Sequence, residues 1–159
     1  MPEGCCPPRP DDPAEQQECP RSGTQGHPVE PKTVKALLSV SALARITGSP
    51  YRFCPDPACE IVYFSPGDTY TVQDLRVPVW QKESDGARMV CYCFGENEAD
   101  IGREIRAHGA SLAVERVRAH ITARRCACEV RNPRGVCCLG DVIAAVKRMV
   151  AHVETSIRN

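Results

Sequence analysis

Charge of one sign, aromatic side chains and long apolar runs are all scarce in this chain. Its 20 Lys and Arg balance 20 Asp and Glu. No field is left to hold a polyanion, so nucleic acid is not an expected partner. No stretch approaches the ~18–20 apolar residues of a membrane span, which excludes a membrane-spanning helix. The first thirty residues show no charged start followed by an apolar run, so no secretory leader is read and a cytoplasmic setting is expected. Aromatics make up 5% of the 159 residues, too few for a large conventional core. A small domain with a thin core needs staples or metals. No Ser/His/Asp set, phosphate loop or paired-carboxylate pattern stands in a supporting context. The expectation is therefore an accessory protein or electron carrier rather than an enzyme.

Cysteine is abundant, at eleven residues. In a reducing compartment clustered thiols serve as metal ligands more often than as disulfides, and an odd count does not complete a disulfide framework. The expected architecture is α+β: a small zinc-knuckle domain built on a β-hairpin, followed by a small helical domain holding a 2Fe–2S cluster.

Residues 1–31 hold eight of the fourteen prolines and no hydrophobic period. Residues 1–18 are expected to form a disordered tail that carries Cys5 and Cys6. A first domain is placed at 19–82, a linker at 83–87 and a second domain at 88–155. In the first, a short helix is read over 41–46, capped by Ser41 and stopped at Gly48. Y-R-F-C-P-D-P-A-C-E-I-V-Y-F, residues 51–64, reads as a hairpin whose turn carries Cys54 and Cys59, one at each mouth. C-x4-C on a hairpin supplies two of the four ligands that zinc requires. T-V-Q-D at 71–74 resembles a capping box on one helical turn. V-P-V-W-Q-K-E at 77–83 reads as an edge strand.

The second domain reads as three helices between cysteines. Asn97 caps the first, which runs through His108 and ends at Gly109, with Ile101 and Ile105 on one face. Ser111 caps the second, through Ala123, with Val114, Val117 and Ile121 along one side. The third follows Cys138 and carries a stripe of Val142, Val146, Met149, Val150 and Val153. His108, His120 and His152 read as solvated. Six cysteines frame these helices: C-Y-C at 91–93, C-A-C at 126–128 and the pair 137–138. Loops that open helices offer unsatisfied N–H groups and a positive dipole end, which suit a negatively charged cluster on thiolates. C-x-C is too tight for a zinc knuckle but suits two sulfurs on one iron. Zinc here, or no metal and simply buried thiols, remains the alternative. Arg124, Arg125, Arg131 and Arg134 surround the loop and could offset cluster charge or dock a partner.

C-Y-C-F-G before a helix, then C-E-V-R-N-P-R-G-V-C-C-L-G-D-V, resembles the N-terminal metal-binding region of CopZ-type copper chaperones. That region groups with 2Fe–2S domains of the bacterioferritin-associated ferredoxin type. F-C-P-D-P-A-C-E-I-V-Y-F resembles its zinc-binding half. Together the likeness covers about residues 19–145. It implies a 2Fe–2S cluster on Cys91, Cys93, Cys128 and Cys138, with Cys137 the rival of Cys138 and Cys126 matching no required position. It implies zinc on Cys19, Cys54 and Cys59. Where the family pattern looks like C-P-x-C-G-x-x-G, this chain has C-P-R-S-G-T-Q-G at 19–26. Ser22 therefore stands where a fourth thiolate belongs, leaving water, His27, Cys5 or Cys6 as other candidates. The family's copper-carrier domain bears a C-x-x-C motif, and no C-x-x-C occurs here. The resemblance thus implies a redox or metallochaperone-type protein: one-electron transfer or metal-ion reduction in support of copper or other soft-metal handling. Its expected partner is a redox protein or a separate metal carrier, and it could take a soft metal ion itself. The alternative is a non-redox adaptor or sensor with a structural cluster.

Overall fold

The computed structural model of the chain describes residues 16–47 and 50–158. Cys5, Cys6, most of the segment expected to be a disordered tail, and the expected helix stop at Gly48 lie outside the described residues.

Four short strands form an antiparallel sheet in sequence order: β1 (His27–Val29), β2 (Tyr51–Phe53), β3 (Ile61–Phe64) and β4 (Thr69–Thr71). The β2–β3 pair is the expected hairpin, in register Arg52 to Phe64 and Phe53 to Tyr63. β3 is buried at all four positions, which explains its unbroken run of β-branched and aromatic residues. Two short helices cover the sheet, α1 (Pro31–Leu37) and α2 (Val40–Leu43). Pro31 opens α1 at a position where no N–H is needed. The expected helix over 41–46 is shifted. Ser39, not Ser41, caps α2, accepting from the Ala42 amide at 3.3 Å. Ser39 is held extended by its own N–H to Asp74 O at 2.7 Å, and that sets the cap two residues before the expected one. Thr71 and Asp74 form the expected capping box on one 3-10 turn, Val72–Asp74.

Segment 77–83 is not an edge strand. Trp80–Lys82 forms a 3-10 turn, and its neighbours bond a side chain instead of a strand. The Tyr92 hydroxyl accepts from Trp80 N at 3.0 Å and donates to Pro78 O at 2.7 Å. A prolyl nitrogen cannot extend a ladder, and the phenol meets the groups that a neighbouring strand would have met.

Asp68 ties the far edge of the sheet. Its Oδ2 accepts from Thr47 N (3.2 Å), Thr47 Oγ1 (2.7 Å), Tyr51 OH (3.1 Å) and Tyr70 OH (3.3 Å). Burial pushes its carboxyl up, but these donors outweigh it and hold it below the ordinary range. A depressed carboxylate stabilises the fold above its unfolded value near ~4 and loses that contribution as pH falls through the folded value. Asp68→Ala is expected to cost about 2 kcal/mol at pH 7. Urea melts should show the gap between variant and parent closing toward pH 3. A gap that stays constant with pH would contradict the ionised role.

The second half begins with a two-stranded ribbon, β5 (Met89–Cys91) and β6 (Glu96–Asn97), followed by α3 (Glu98–His108), α4 (Ala113–Thr122), α5 (Cys128–Arg131) and α6 (Leu139–Arg158). Asn97 caps α3 by accepting from Asp100 N at 2.9 Å, and Gly109 ends it. Ser111 acts one residue before the formal cap of α4: its hydroxyl accepts from Ala113 N at 3.2 Å and donates to Glu104 at 2.7 Å. Along α6 the buried positions are Val142, Ala145, Met149 and Val153, while Val146 and Val150 pack at the margin. Two carboxylates inside this half are paired. Glu96 takes a bidentate bond from Arg116 at 2.7 and 2.9 Å, and Glu98 accepts from Arg148 (2.9 Å) and Gly86 N (2.7 Å).

Besides the Tyr92 bonds to Pro78 and Trp80, the halves meet along α5 and the turn that follows it. Thr33, on α1, donates to Glu129 O at 2.6 Å, and Tyr63, on β3, donates to Pro133 O at 2.6 Å. Both side chains are fully buried.

Candidate metal centres

Cys54 immediately follows β2 and Cys59 precedes β3, on a turn set by the Asp56 carboxylate, which accepts from Ala58 N at 2.9 Å. Cys19 arrives from the other side on a separate turn. Gly23 N donates to Cys19 O at 2.8 Å, and Gly23 takes the left-handed φ of +71° that closes this turn without a Cβ penalty. Arg21 and Glu60 pair across the two turns. The three thiols are buried, and their sulfurs lie within 4.8 Å of one another. Cys19 and Cys59 are 3.9 Å apart. Tetrahedral zinc with Zn–S near 2.3 Å sets its sulfurs ~3.8 Å from each other, so the trio matches three corners of that geometry.

Ser22 stands beside two of the three thiols, Cys54 and Cys19. Its Oγ lies 3.5 Å from Cys54 Sγ and accepts from Thr24 N at 3.3 Å. His27 is exposed on β1 and does not join the group. Burial pushes the Cys19 thiol up, but the Ser22 amide and hydroxyl and the Arg21 amide bring it down to about 7. Burial pushes Cys54 up. Lys82, unremarked in the sequence, is anchored on the turn between Cys54 and Cys59, where its Nζ donates to Asp56 O at 2.8 Å, and its charge acts on Cys54, Cys59 and Cys19. Burial lowers the Lys82 ammonium, and the thiolates oppose that shift.

The second group assembles differently. Cys91 ends β5, Cys93 follows in the tight turn to β6, Cys128 opens α5 and Cys138 immediately precedes α6. Cys138 Sγ lies 3.0 Å from Cys91 Sγ, and Cys93 Sγ lies 3.7 Å from Cys128 Sγ. Both separations far exceed the ~2.05 Å of a disulfide, and all nine described cysteines are free. Each short contact thus joins one sulfur of the 91–93 C-x-C to a cysteine far along the chain, rather than joining Cys91 to Cys93 as a C-x-C sharing one iron would. Among the described residues, Cys19, Cys54 and Cys59 form the only set of three or more ligand atoms lying mutually within 4.8 Å. In the second group the closest contacts therefore fall in two pairs, with Cys128 also acting on Cys138 across them.

Backbone donors face these sulfurs. Ala127 N donates to Cys93 Sγ at 3.2 Å. A hydrogen bond from Cys138, then the amides of Phe94 and Cys93, bring the Cys91 thiol down to about 7 despite burial. Its partner Cys138 is pushed strongly up, first by that shared bond and then by burial. Burial raises Cys128 to about 12. One proton shared between two sulfurs is a place a cation can take, with proton release. Cys126 and Cys137 are exposed and make none of these contacts. His120, read as solvated, stacks on Phe94 with ring centroids 3.9 Å apart, and His108 and His152 are exposed.

Buried thiols closing on one point, with a second group of paired cysteine sulfurs in the other half, define a small cysteine-rich metal-binding protein. A zinc binding domain of the CopZ type matches residues 16–76. The copper chaperone CopZ of Archaeoglobus fulgidus is 31% identical over 145 residues, spanning 87% of this chain and 69% of that protein. The X-ray structure of the N-terminal domain of that CopZ is similar with a TM-score of 0.63 at 30% identity, over 76% of this chain and 91% of that one. The chain belongs to the CopZ family. No helix among the described residues is long and apolar enough to cross a membrane.

Proposed function

We propose that the chain is a two-centre metalloprotein of soft-metal handling, with zinc at Cys19, Cys54 and Cys59 and a 2Fe–2S cluster on Cys91, Cys93, Cys128 and Cys138. The observation that carries the cluster reading is the two-by-two arrangement of the second group. A mononuclear zinc needs four sulfurs mutually ~3.8 Å apart. Two close pairs, with no third sulfur within 4.8 Å of both members of either, suit a binuclear centre with two protein ligands per metal. The amides on Cys91 and Cys93 and the burial of Cys91, Cys128 and Cys138 favour thiolate ligation shielded from water. In this reading residues 19–82 and 88–155 act as the zinc and cluster modules.

When bound, a 2Fe–2S cluster supplies reversible one-electron transfer. The protein leaves one edge of that site open. Cys93 is half-buried, and the exposed Arg124 and Arg125 lie next to the loop that supplies Cys128. The likeness to a copper chaperone makes an oxidised metal ion the fitting electron acceptor, Cu(II) becoming Cu(I) with an electron taken from a donor protein. A separate carrier protein would then receive the reduced ion. Dithionite titration of anaerobic protein tests this. Reversible bleaching of the visible bands, with transfer of one electron per chain to Cu(II), is expected. A centre that disassembles on reduction would replace this reading with a structural or sensing cluster.

A further inference from the structure

Ser22 and Lys82 make the zinc-type site of this chain unlike a closed four-thiolate site. We propose that Cys19, Cys54 and Cys59 hold a divalent thiophilic ion as an exchangeable three-thiolate centre, with the Ser22 hydroxyl as a displaceable fourth neighbour and the Lys82 ammonium balancing its charge. This rests on the zinc reading above and goes beyond it to the lability of the site.

Two independent features of the structure converge. The first is the fourth corner. Ser22 Oγ sits 3.5 Å from Cys54 Sγ, already oriented by Thr24 N, so an oxygen rather than a fourth sulfur borders the trio there. A neutral hydroxyl binds zinc far more weakly than a thiolate, and a site with three protein anions keeps one position that an incoming ligand can take. That corner also faces outward. The three cysteines are at most 5% exposed while Ser22 is only half-buried, and an open cleft lined by Gln16, Gln17, Glu18, Pro20 and Gln25 reaches Cys19.

The second feature is charge. Four thiolates around a divalent ion leave two negative charges, and three leave one. A single ammonium cancels one, and the charge of Lys82 acts on all three sulfurs. Lys82 is held there by Asp56 O, within the turn joining two of the ligands, and over the Phe53 ring at 5.9 Å. A cation fixed beside buried thiolates lowers the cost of ionising them in a partly dry site. The three-thiolate count and the single lysine fit each other.

The experiment uses the full chain loaded with one equivalent of zinc and challenged with the chromophoric chelator 4-(2-pyridylazo)resorcinol. Far-UV circular dichroism monitors folding throughout. Wild type should surrender its zinc, and Ser22→Cys should hold it about 100-fold more tightly and release it correspondingly slowly. Ser22→Ala should stay within about threefold of wild type, and Lys82→Gln should weaken zinc about tenfold. Equal affinity in wild type and Ser22→Cys would overturn the proposal, as would a Ser22→Ala variant that loses zinc entirely. If folded Ser22→Cys and wild type both take up no zinc, the underlying zinc reading falls, and the proposal with it. If Ser22→Cys does not fold, the Ser22→Ala and Lys82→Gln results decide by the same thresholds.

Discussion

Cys138→Ser is expected to strip the chain of iron and of its visible absorbance, whereas Cys137→Ser leaves both in place. The two residues are adjacent, so no argument from sequence position separates the outcomes. Cys138 is buried, 3.0 Å from Cys91 Sγ, and immediately precedes α6. Its neighbour is exposed. Replacing a buried thiolate ligand by a hydroxyl removes a soft donor from a site that has no spare sulfur among its close contacts. Cys128 and Cys126 form a matching pair: Cys128 is buried 3.7 Å from Cys93 Sγ, and Cys126 is exposed. Iron content of the Cys128→Ser and Cys138→Ser variants should fall at least about tenfold, with the Cys126→Ser and Cys137→Ser variants unchanged. Loss of iron in the exposed-site variants would reassign the ligands.

The second large effect is expected at Gly135, in the turn between Cys128 and Cys138. Gly135 has φ of +69°, and a Cβ there would lie 2.8 Å from Thr33 Oγ1 and 3.3 Å from its methyl. Thr33 cannot retreat, because its hydroxyl donates to Glu129 O at 2.6 Å and it is fully buried. Gly135→Ala therefore combines a left-handed backbone cost of about 1–2 kcal/mol with overpacking. A total of about 2–4 kcal/mol is expected from urea unfolding. Because the strained turn links two proposed cluster ligands, faster loss of iron should accompany it. Thr33→Ala alone should also destabilise, by leaving the Glu129 carbonyl unpaired. In the double variant the overlap is relieved, so its cost should be less than the sum of the single costs. Additivity within about 0.5 kcal/mol would show that the two residues do not share this contact.

Local signals carried much of this structure. The P-D-P-A turn between aromatic runs announced the β2–β3 hairpin, Asn97 and Gly109 marked the ends of α3, and Thr71 and Asp74 their capping box. Cysteine spacing pointed to both groups of thiols. What escaped the sequence depends on partners far along the chain. β1 and β4 are three-residue strands that exist because β2 and β3 offer them edges. Residues 77–83 alternate like a strand, yet Tyr92 takes the bonds of Pro78 and Trp80 and the rest close a 3-10 turn. Ser39 and Ser41 look equivalent as caps until Asp74 fixes one of them. Tyr63 and Pro133 are 70 residues apart, and no periodicity links them. Lys82 lies in an ordinary polar stretch, and only the fold anchors it on the turn that carries Cys54 and Cys59. The pairing of Cys91 with Cys138 and of Cys93 with Cys128 likewise needs the β5–β6 turn and both later loops at once.

Metal and sulfide counts on chain purified without oxygen test the two-centre account most directly. About two irons, two acid-labile sulfides and one zinc per chain, with visible absorbance, are predicted. Folded protein carrying zinc at both groups of cysteines, with neither iron nor sulfide, would contradict it.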